Sequence, residues 1–486
     1  MERVARLSKN TAALVGAKVV TSGLSFLMAL IINERLGPVI VGIYAYAFVL
    51  YTIFQIIPDF GLGNISVRDV SQDNSKLHYY FRNIMALRLL LGAAAFLLLM
   101  ATNLAATALQ APGELTAMRF WAVFTIAFCL LVEQPVSNTL LENFIALERL
   151  TVVALVYLFL GIIKAALSVY VVLAGYDHVL VLLILIYILS QLYAAAHFAL
   201  IYRRALRRDP RLKSGSWDQA PAEASAPAPH APGRATDGPP AAGGALAGAG
   251  GGVGGTGPEG APERAPDALP PRGDAGGRPP PPPLRGRERE FWRYLLRSAW
   301  PLAIVSGTFI VYAVVDIPIL SWMKGDKEVG LYFAAAMFAK SFVFFTMAVN
   351  IAVLPAVSKV GGKHPERLGE VWERLLFFAL AISVPLVILA SVLARPFLIY
   401  EAHDYITAYH AVWLTMAAMN FTFLSSLTLP FFIVINKQKT ITAVILVGLG
   451  LKAVLALIAV PLWGYTGAAT VVVVTEVALF AMLGTA

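Results

Sequence analysis

Residues 37–44 read GPVIVGIY and residues 325–332 read GDKEVGLY, so Gly37, Val41, Gly42 and Tyr44 recur as Gly325, Val329, Gly330 and Tyr332 at a spacing of 288. The same spacing carries Lys164-Ala165 and Leu167 onto Lys452-Ala453 and Leu455, and a spacing of 289 carries Gly175-Tyr176 onto Gly464-Tyr465. Each match is weak by itself in so apolar a chain. Three of them at nearly one spacing, each in the equivalent loop or helix, indicate a duplication.

The duplicated unit is a set of membrane helices. A spanning helix needs roughly 20 mostly apolar residues to cross a hydrocarbon core of about 30 Å. Twelve segments qualify: 10–33, 39–60, 84–108, 118–141, 150–174, 179–202, 299–323, 329–354, 375–399, 410–434, 441–462 and 465–485. The first follows Arg3, Arg6 and Lys9 as a signal peptide would. It is too long for one, carries Lys18 and lacks a small-residue cleavage site, so it reads as a retained anchor. Six spans per unit preserve orientation, which makes these parallel repeats about an axis along the membrane normal.

Composition agrees: 58% of the 486 residues are hydrophobic and 14% charged, far from the soluble norm of about 45–50% and 25%. The single cysteine, Cys129, excludes an intrachain disulfide or a cysteine-rich metal site. The net charge of +9 sorts by topology. One set of alternate loops carries 24 Lys and Arg and the other only 5 (Arg35, Arg119, Lys324, Lys327 and Arg395). Basic loops stay inside, so both termini are expected in the cytoplasm and nucleic-acid binding has no support. All outer loops are short. The bulk lies in 203–298, whose centre, 221–284, holds 16 Pro and 15 Gly, too little apolar surface to fold. Basic clusters flank it, Arg203–Lys213 and Arg285–Arg297; they suit anionic headgroups, and plain positive-inside anchoring accounts for them equally well. The expected domains are 1–202, a linker over 203–298, and 299–486.

Several motifs resemble polysaccharide-biosynthesis flippases of the multidrug/oligosaccharidyl-lipid/polysaccharide (MOP) transporter superfamily. They are Leu7-Ser8-Lys9-Asn10, Leu36-Gly37 with Val41-Gly42-Ile43-Tyr44, and Asp59-Phe60-Gly61-Leu62 with Arg68. In the second half they are Asp316, Val329-Gly330-Leu331-Tyr332, Pro355 with Ser358, and Gly464-Tyr465-Thr466-Gly467-Ala468-Ala469. The resemblance covers 7–202 and 291–486. The sequence departs from it in the long insert and in ending with the twelfth span, as a truncated chain would. It implies an all-α, V-shaped, MATE-like bundle of two six-helix lobes in the cell (inner) membrane. The implied activity is alternating-access transfer of polyprenyl-pyrophosphate-linked oligosaccharide from the cytoplasmic to the outer leaflet. Membrane lipids and polysaccharide polymerase or export machinery are the implied partners; no cofactor is implied beyond H+ or Na+ coupling.

Ionisable residues within spans mark pathways or partners. Lys18, Lys164, Lys340 and Lys452 fall near mid-depth and Arg88 at the cytoplasmic edge of the third span, all candidates for a pyrophosphate site. Lys164 and Lys452 are repeat-related, so opposing lobes could each present one charge to a central cleft. The plain alternative pairs each with a carboxylate of its own lobe, Lys164 with Glu133 and Lys452 with Glu476. Glu133, Asp316 and Glu476 are the candidates for ion coupling. Asp59 and Arg68 read as loop-shaping, and His197 and His410 have no metal-ligand spacing around them.

Two alternatives keep the fold. A multidrug or cation antiporter calls for an acidic, aromatic cavity, whereas lysines here are at least as many as carboxylates. A lipid II flippase carries two further helices, which helix count alone does not settle. A membrane glycosyltransferase or polymerase is the different class. It needs large outer loops or a folded cytoplasmic domain, and neither is present. The chain also lacks a phosphate-binding G-x-x-x-x-G-K-[ST] loop, because Val357 stands where the first glycine before Gly362-Lys363 belongs. The protein is expected not to be an enzyme.

Overall fold

The computed structural model describes residues 2–109, 113–176, 178–208, 284–340, 353, 357, 360–361, 365–400, 403–435 and 437–485. The centre of the linker, Pro355 and Ser358 lie outside the described residues. The longer elements of the first half are α1 (Glu2–Phe54), α2 (Ile56–Asp59), α3 (Leu62–Gln72), α4 (Leu77–Ala108), α5 (Glu114–Ala127) and α6 (Cys129–Val132). A π-helical turn (Glu133–Asn138) follows, then α7 (Thr139–Ala146), α8 (Leu150–Ala174) and α9 (Val179–Arg208). The second half has α10 (Leu284–Val314), α11 (Asp316–Lys324), α12 (Asp326–Lys340), α13 (Leu368–Tyr400), α14 (Tyr409–Val434) and α15 (Gln438–Thr485).

Among the described residues, nine helical stretches are long and apolar enough to cross a membrane. Two of them, Gly16–Asp59 and Lys439–Thr485, run 44 and 47 residues. At about 1.5 Å per residue that is twice the hydrocarbon thickness. Each is broken where the chain reverses, at Gly37 (φ 71°, ψ 168°) and Gly464 (φ 57°, ψ −133°). Read as two crossings each, they bring eleven of the twelve expected spans into view; 329–354 is represented by α12 as far as Lys340.

The duplication is visible in the backbone. Gly37, Gly175, Gly325 and Gly464, four of the six glycines of the repeated motifs, take positive φ, between 57° and 84°. A side chain there clashes with the backbone, so the tight reversals at this end of the molecule, the turn end, require glycine.

Each lobe has its own core. In the first, Leu62, Leu77, Tyr80, Phe144 and Phe198 form one cluster and Ile43, Tyr51, Leu99 and Ile126 another. In the second, Leu320, Val329, Tyr332, Met416 and Val460 form a cluster that Ala45 and Val49 of α1 join from the first. The helix α10 belongs to both. Its Leu295 and Ala299 are buried with Leu62 and Tyr80, whereas its Tyr312 is buried with Phe432 and Leu479 of the second lobe. Pro301 and Gly307 lie between these anchors.

The amphipathic start of α10 is strapped to the first lobe. Phe291 packs at a tilt against Tyr79 (4.7 Å) and edge-to-face against Tyr80 (5.0 Å). Tyr294 Oη donates to Asp69 Oδ2 (3.2 Å), Trp292 Nε1 to Asn83 Oδ1 (3.3 Å), and Arg82 pairs with Glu288 (3.0 Å). Arg289, Arg293 and Arg297, at helical spacing, stay exposed on the opposite face. Because Tyr202 and Leu206 of α9 share the cluster with Leu295, both ends of the linker rest on the first lobe. The structured bridge between lobes is therefore α10.

The lobes meet directly along α1 and α12. Phe26 packs edge-on against Phe338 (5.7 Å) and Asn33 Nδ2 reaches Met337 Sδ (3.7 Å). Nearer the turn end there is no room for a side chain: a Cβ at Gly42 would fall on the Asp326 carbonyl, and one at Gly330 on that of Pro38. The repeated Gly42 and Gly330 are thus where the two repeats touch.

Candidate functional site

The helix α4 buries Arg88 completely, at 0% exposure, and its guanidinium is spent on the lobe's own core. Both oxygens of Glu142 accept from it at 2.8 Å, Thr139 Oγ1 at 2.9 Å and Asp59 Oδ1 at 3.5 Å. The π-helical turn contributes the Gln134 carbonyl at 3.5 Å. A forked, fully desolvated pair of this kind fixes helix positions. Both terminal nitrogens are taken, and Nε, which has no partner, is buried, so no exposed edge of the fork faces a substrate anion. Glu142 carries no signal in the sequence, because its partner is 54 positions away.

Lys452 is engaged in the same way. It is 3% exposed, donates to the Tyr312 carbonyl (2.8 Å) and pairs with Asp316 (3.4 Å), itself 2% exposed. Asp316 also accepts from the Tyr332 hydroxyl. Glu476, the partner expected for Lys452, instead accepts from Tyr312 Oη at 2.8 Å, and the ring of that tyrosine lies 5.0 Å from the lysine ammonium. The result is a buried chain, Glu476–Tyr312–Lys452–Asp316–Tyr332, inside the second lobe.

Lys164, the repeat mate, is different. It is half-buried, and among the described residues no carboxylate lies within 4.0 Å of its ammonium; the ring of Tyr187 is 5.7 Å away. Glu133, its expected partner, is held instead by hydroxyls, from Tyr187 (2.9 Å) and from Tyr51. The repeat explains the asymmetry. At the spacing of 288, Asp316 corresponds to Met28, and at 289 Glu476 corresponds to Tyr187, so the first lobe lacks both carboxylates found near Lys452. That comparison was available in the sequence. A cavity of about 50 Å³ beside Glu133 is lined by Ser137, Asn138, Tyr157 and Gln191, polar and roomy enough for water.

Lys18 and Lys164 lie on neighbouring helices of the first lobe. The helices α1 and α8 run parallel: Ala17 packs in the cluster of Val153 and Val156, and Met28 and Ile32 pack with Ala165 and Val172. They touch where Gly161 meets the Thr21 side chain. Lys18 is three residues before Thr21 and Lys164 three after Gly161, so on these parallel helices they lie on opposite sides of that level, about 9 Å apart along the axes. Lys18 is half-buried, and among the described residues it has no ion-pair partner. It lies on the linker side of the Phe26–Phe338 contact that closes the lobes together, on a stretch where Cβ positions at Gly16 and Gly23 meet nothing within 4 Å. The side chain of Lys340 lies outside the described residues.

Of the residues expected to shape loops, Asp59 joins the Arg88 cluster and Arg68 pairs with Asp69 at 2.8 Å. Outside the membrane spans, the hydrogen bonds from Ser75 hold the Asp73 carboxyl below the usual range, fixing the turn between α3 and α4.

Residues 7–215 match the family described as polysaccharide biosynthesis protein, and residues 301–458 match the MatE family. No curated protein matches the chain. Among solved structures, it is similar to an inward-facing multidrug resistance MATE-family transporter of the MOP superfamily. The TM-score is 0.65 at 13% identity, over 96% of this chain and 93% of that one. It is also similar to the lipid II flippase MurJ in an inward-closed conformation (TM-score 0.61, 11% identity, 96% and 85% covered). A third likeness is to a MOP superfamily transporter from Pyrococcus furiosus (TM-score 0.53, 14% identity, 99% and 94% covered). At such identities these likenesses establish the fold, the expected MATE-like helical bundle.

Proposed function

We propose that the chain is a transporter of the MOP superfamily, a flippase that carries a lipid-linked oligosaccharide across the membrane by alternating access, with Lys18 and Lys164 holding the pyrophosphate. One observation carries this reading. Arg88 and Lys452 each have a carboxylate of their own lobe within 4.0 Å and Arg119 has one across the lobes, whereas Lys18 and Lys164 have none that close among the described residues. A lysine at mid-depth without a partner is unfavourable by about 2.5–3.5 kcal/mol on insertion scales unless water or an anion reaches it. A diphosphate bound between α1 and α8 relieves that cost. The match of the first lobe to a polysaccharide-biosynthesis family supports a saccharide cargo.

In this reading the linker end faces the cytoplasm of a cell with an inner membrane, as the basic excess there requires, and the turn end faces outward. Asp316 is committed to Lys452. Glu133 and Glu476, held by tyrosine hydroxyls, are then the carboxylates free to take up H+ or Na+ during the cycle. Polymerase or export machinery would receive the product at the outer face. A second reading, a multidrug or cation antiporter, draws on the MatE match of residues 301–458.

Deletion of the gene, followed by analysis of lipid extracts, separates the two. The flippase reading expects polyprenyl-pyrophosphate-linked saccharide to accumulate, and a copy carrying Lys18→Ala and Lys164→Ala not to clear it. Unchanged lipid-linked saccharide together with new sensitivity to cationic drugs would replace it with the antiporter.

A further inference from the structure

Arg119 and Asp326 come from different lobes, and the sequence gives no reason to connect them. Arg119 belongs to α5 and Asp326 opens α12. Their charged groups meet at 3.3 Å, with side-chain exposures of 10% and 14%. The Arg119 guanidinium lies 3.7 Å from the centre of the Tyr46 ring, and Asp326 also accepts from Ser321 Oγ at 3.4 Å. The Asp326 carbonyl is the atom that occupies the space above Gly42. The ion pair therefore sits beside the closest approach of the two repeats, at the turn end.

The geometry points to Arg119 and Asp326, with Tyr46 as the platform, as a latch that holds the lobes together at the turn end and must part for the site to open there. The pair has no counterpart on the other side of the pseudo-twofold axis. At the spacing of 288, Arg119 corresponds to Thr407 and Asp326 to Pro38. Among the described residues one ion pair spans this contact, and it has the energetics of a reversible device. In the closed state it is largely shielded from water and strengthened by the aromatic face. On separation both groups regain water, so the latch is strong enough to bias the lobes and weak enough to release them.

The latch rests on the alternating-access reading, and its test needs no substrate. Full-length protein with Cys129→Ala, in lipid nanodiscs, receives nitroxide labels at Glu114→Cys and Lys324→Cys, both exposed at the turn end, one on each lobe. Pulsed dipolar spectroscopy then reads the lobe separation. The unlatched variants Arg119→Ala and Asp326→Asn are each expected to raise the ratio of separated to closed molecules about fivefold or more. The exchange Arg119→Asp with Asp326→Arg is expected to restore the closed population. Asp326→Asn keeps the size and hydrogen-bonding capacity of the original, so it carries the test if Arg119→Ala does not fold. Distance distributions unchanged in the folded single variants would overturn the latch. So would an exchange that leaves the lobes apart as the singles do. Should the lobes respond as expected while lipid-linked saccharide is handled normally without the gene, the flippase reading falls and the latch stands.

Discussion

Replacing Lys452 by methionine tests whether this lysine is structural. Lys452 and Asp316 are 3% and 2% exposed, and Lys452→Met leaves the Asp316 carboxylate buried with only the Tyr332 hydroxyl beside it. Removing one partner of a buried pair costs about 3–5 kcal/mol. For a lobe of about 200 residues, each kcal/mol lowers the melting midpoint by about 2–4 °C, so the expected drop is about 6–20 °C. Lys452→Met with Asp316→Leu removes both charges and loses the hydrogen bonds to the Tyr332 hydroxyl and the Tyr312 carbonyl, each worth about 1 kcal/mol, so part of the drop should be recovered. Lys164→Met, with no ion pair to break, should melt within about 2–4 °C of wild type. Intrinsic fluorescence of the purified protein in detergent, heated at one fixed scan rate, measures all three. If Lys452→Met melts with wild type and the double variant melts lower, the second-lobe lysine is not held by Asp316 and the division between structural and substrate-facing lysines collapses.

Lys18→Ala should change stability by no more than about 0.5 kcal/mol while abolishing clearance of lipid-linked saccharide, and Lys18→Arg should keep part of it, as read in the deletion strain. Gly42→Ala or Gly330→Ala drives a methyl group into the backbone of the opposite lobe; about 1–3 kcal/mol of overpacking strain should weaken the closed turn end and raise the labelled separation. Deleting 221–283 should leave transport within about twofold of wild type. Both linker ends rest on one lobe, and loop closure depends only weakly on length. Tyr294→Phe with Phe291→Ala should loosen the start of α10 and make limited proteolysis near residue 290 faster at unchanged expression.

The spans and the duplication were legible because each depends on local chemistry. Twenty apolar residues make a crossing whatever surrounds them, and a reversal that demands positive φ selects glycine at 37, 175, 325 and 464 without reference to the rest of the fold. The sequence also marked the ionisable residues that matter, since a charge in an apolar run is conspicuous. It did not say which carboxylate answers which cation. Arg88 finds Glu142, Lys452 finds Asp316 rather than Glu476, and Arg119 finds Asp326 on the other lobe. Those choices depend on helix rotation and on which helices become neighbours, quantities set by packing between segments 54 to more than 200 positions apart. Sequence alone therefore determined that the chain is a duplicated helical membrane bundle with costly charges inside. Only the tertiary structure decided which charges are spent on holding it together and which have no carboxylate beside them, because pairing energy falls off within a few ångströms, and only the folded lobes bring charges that close.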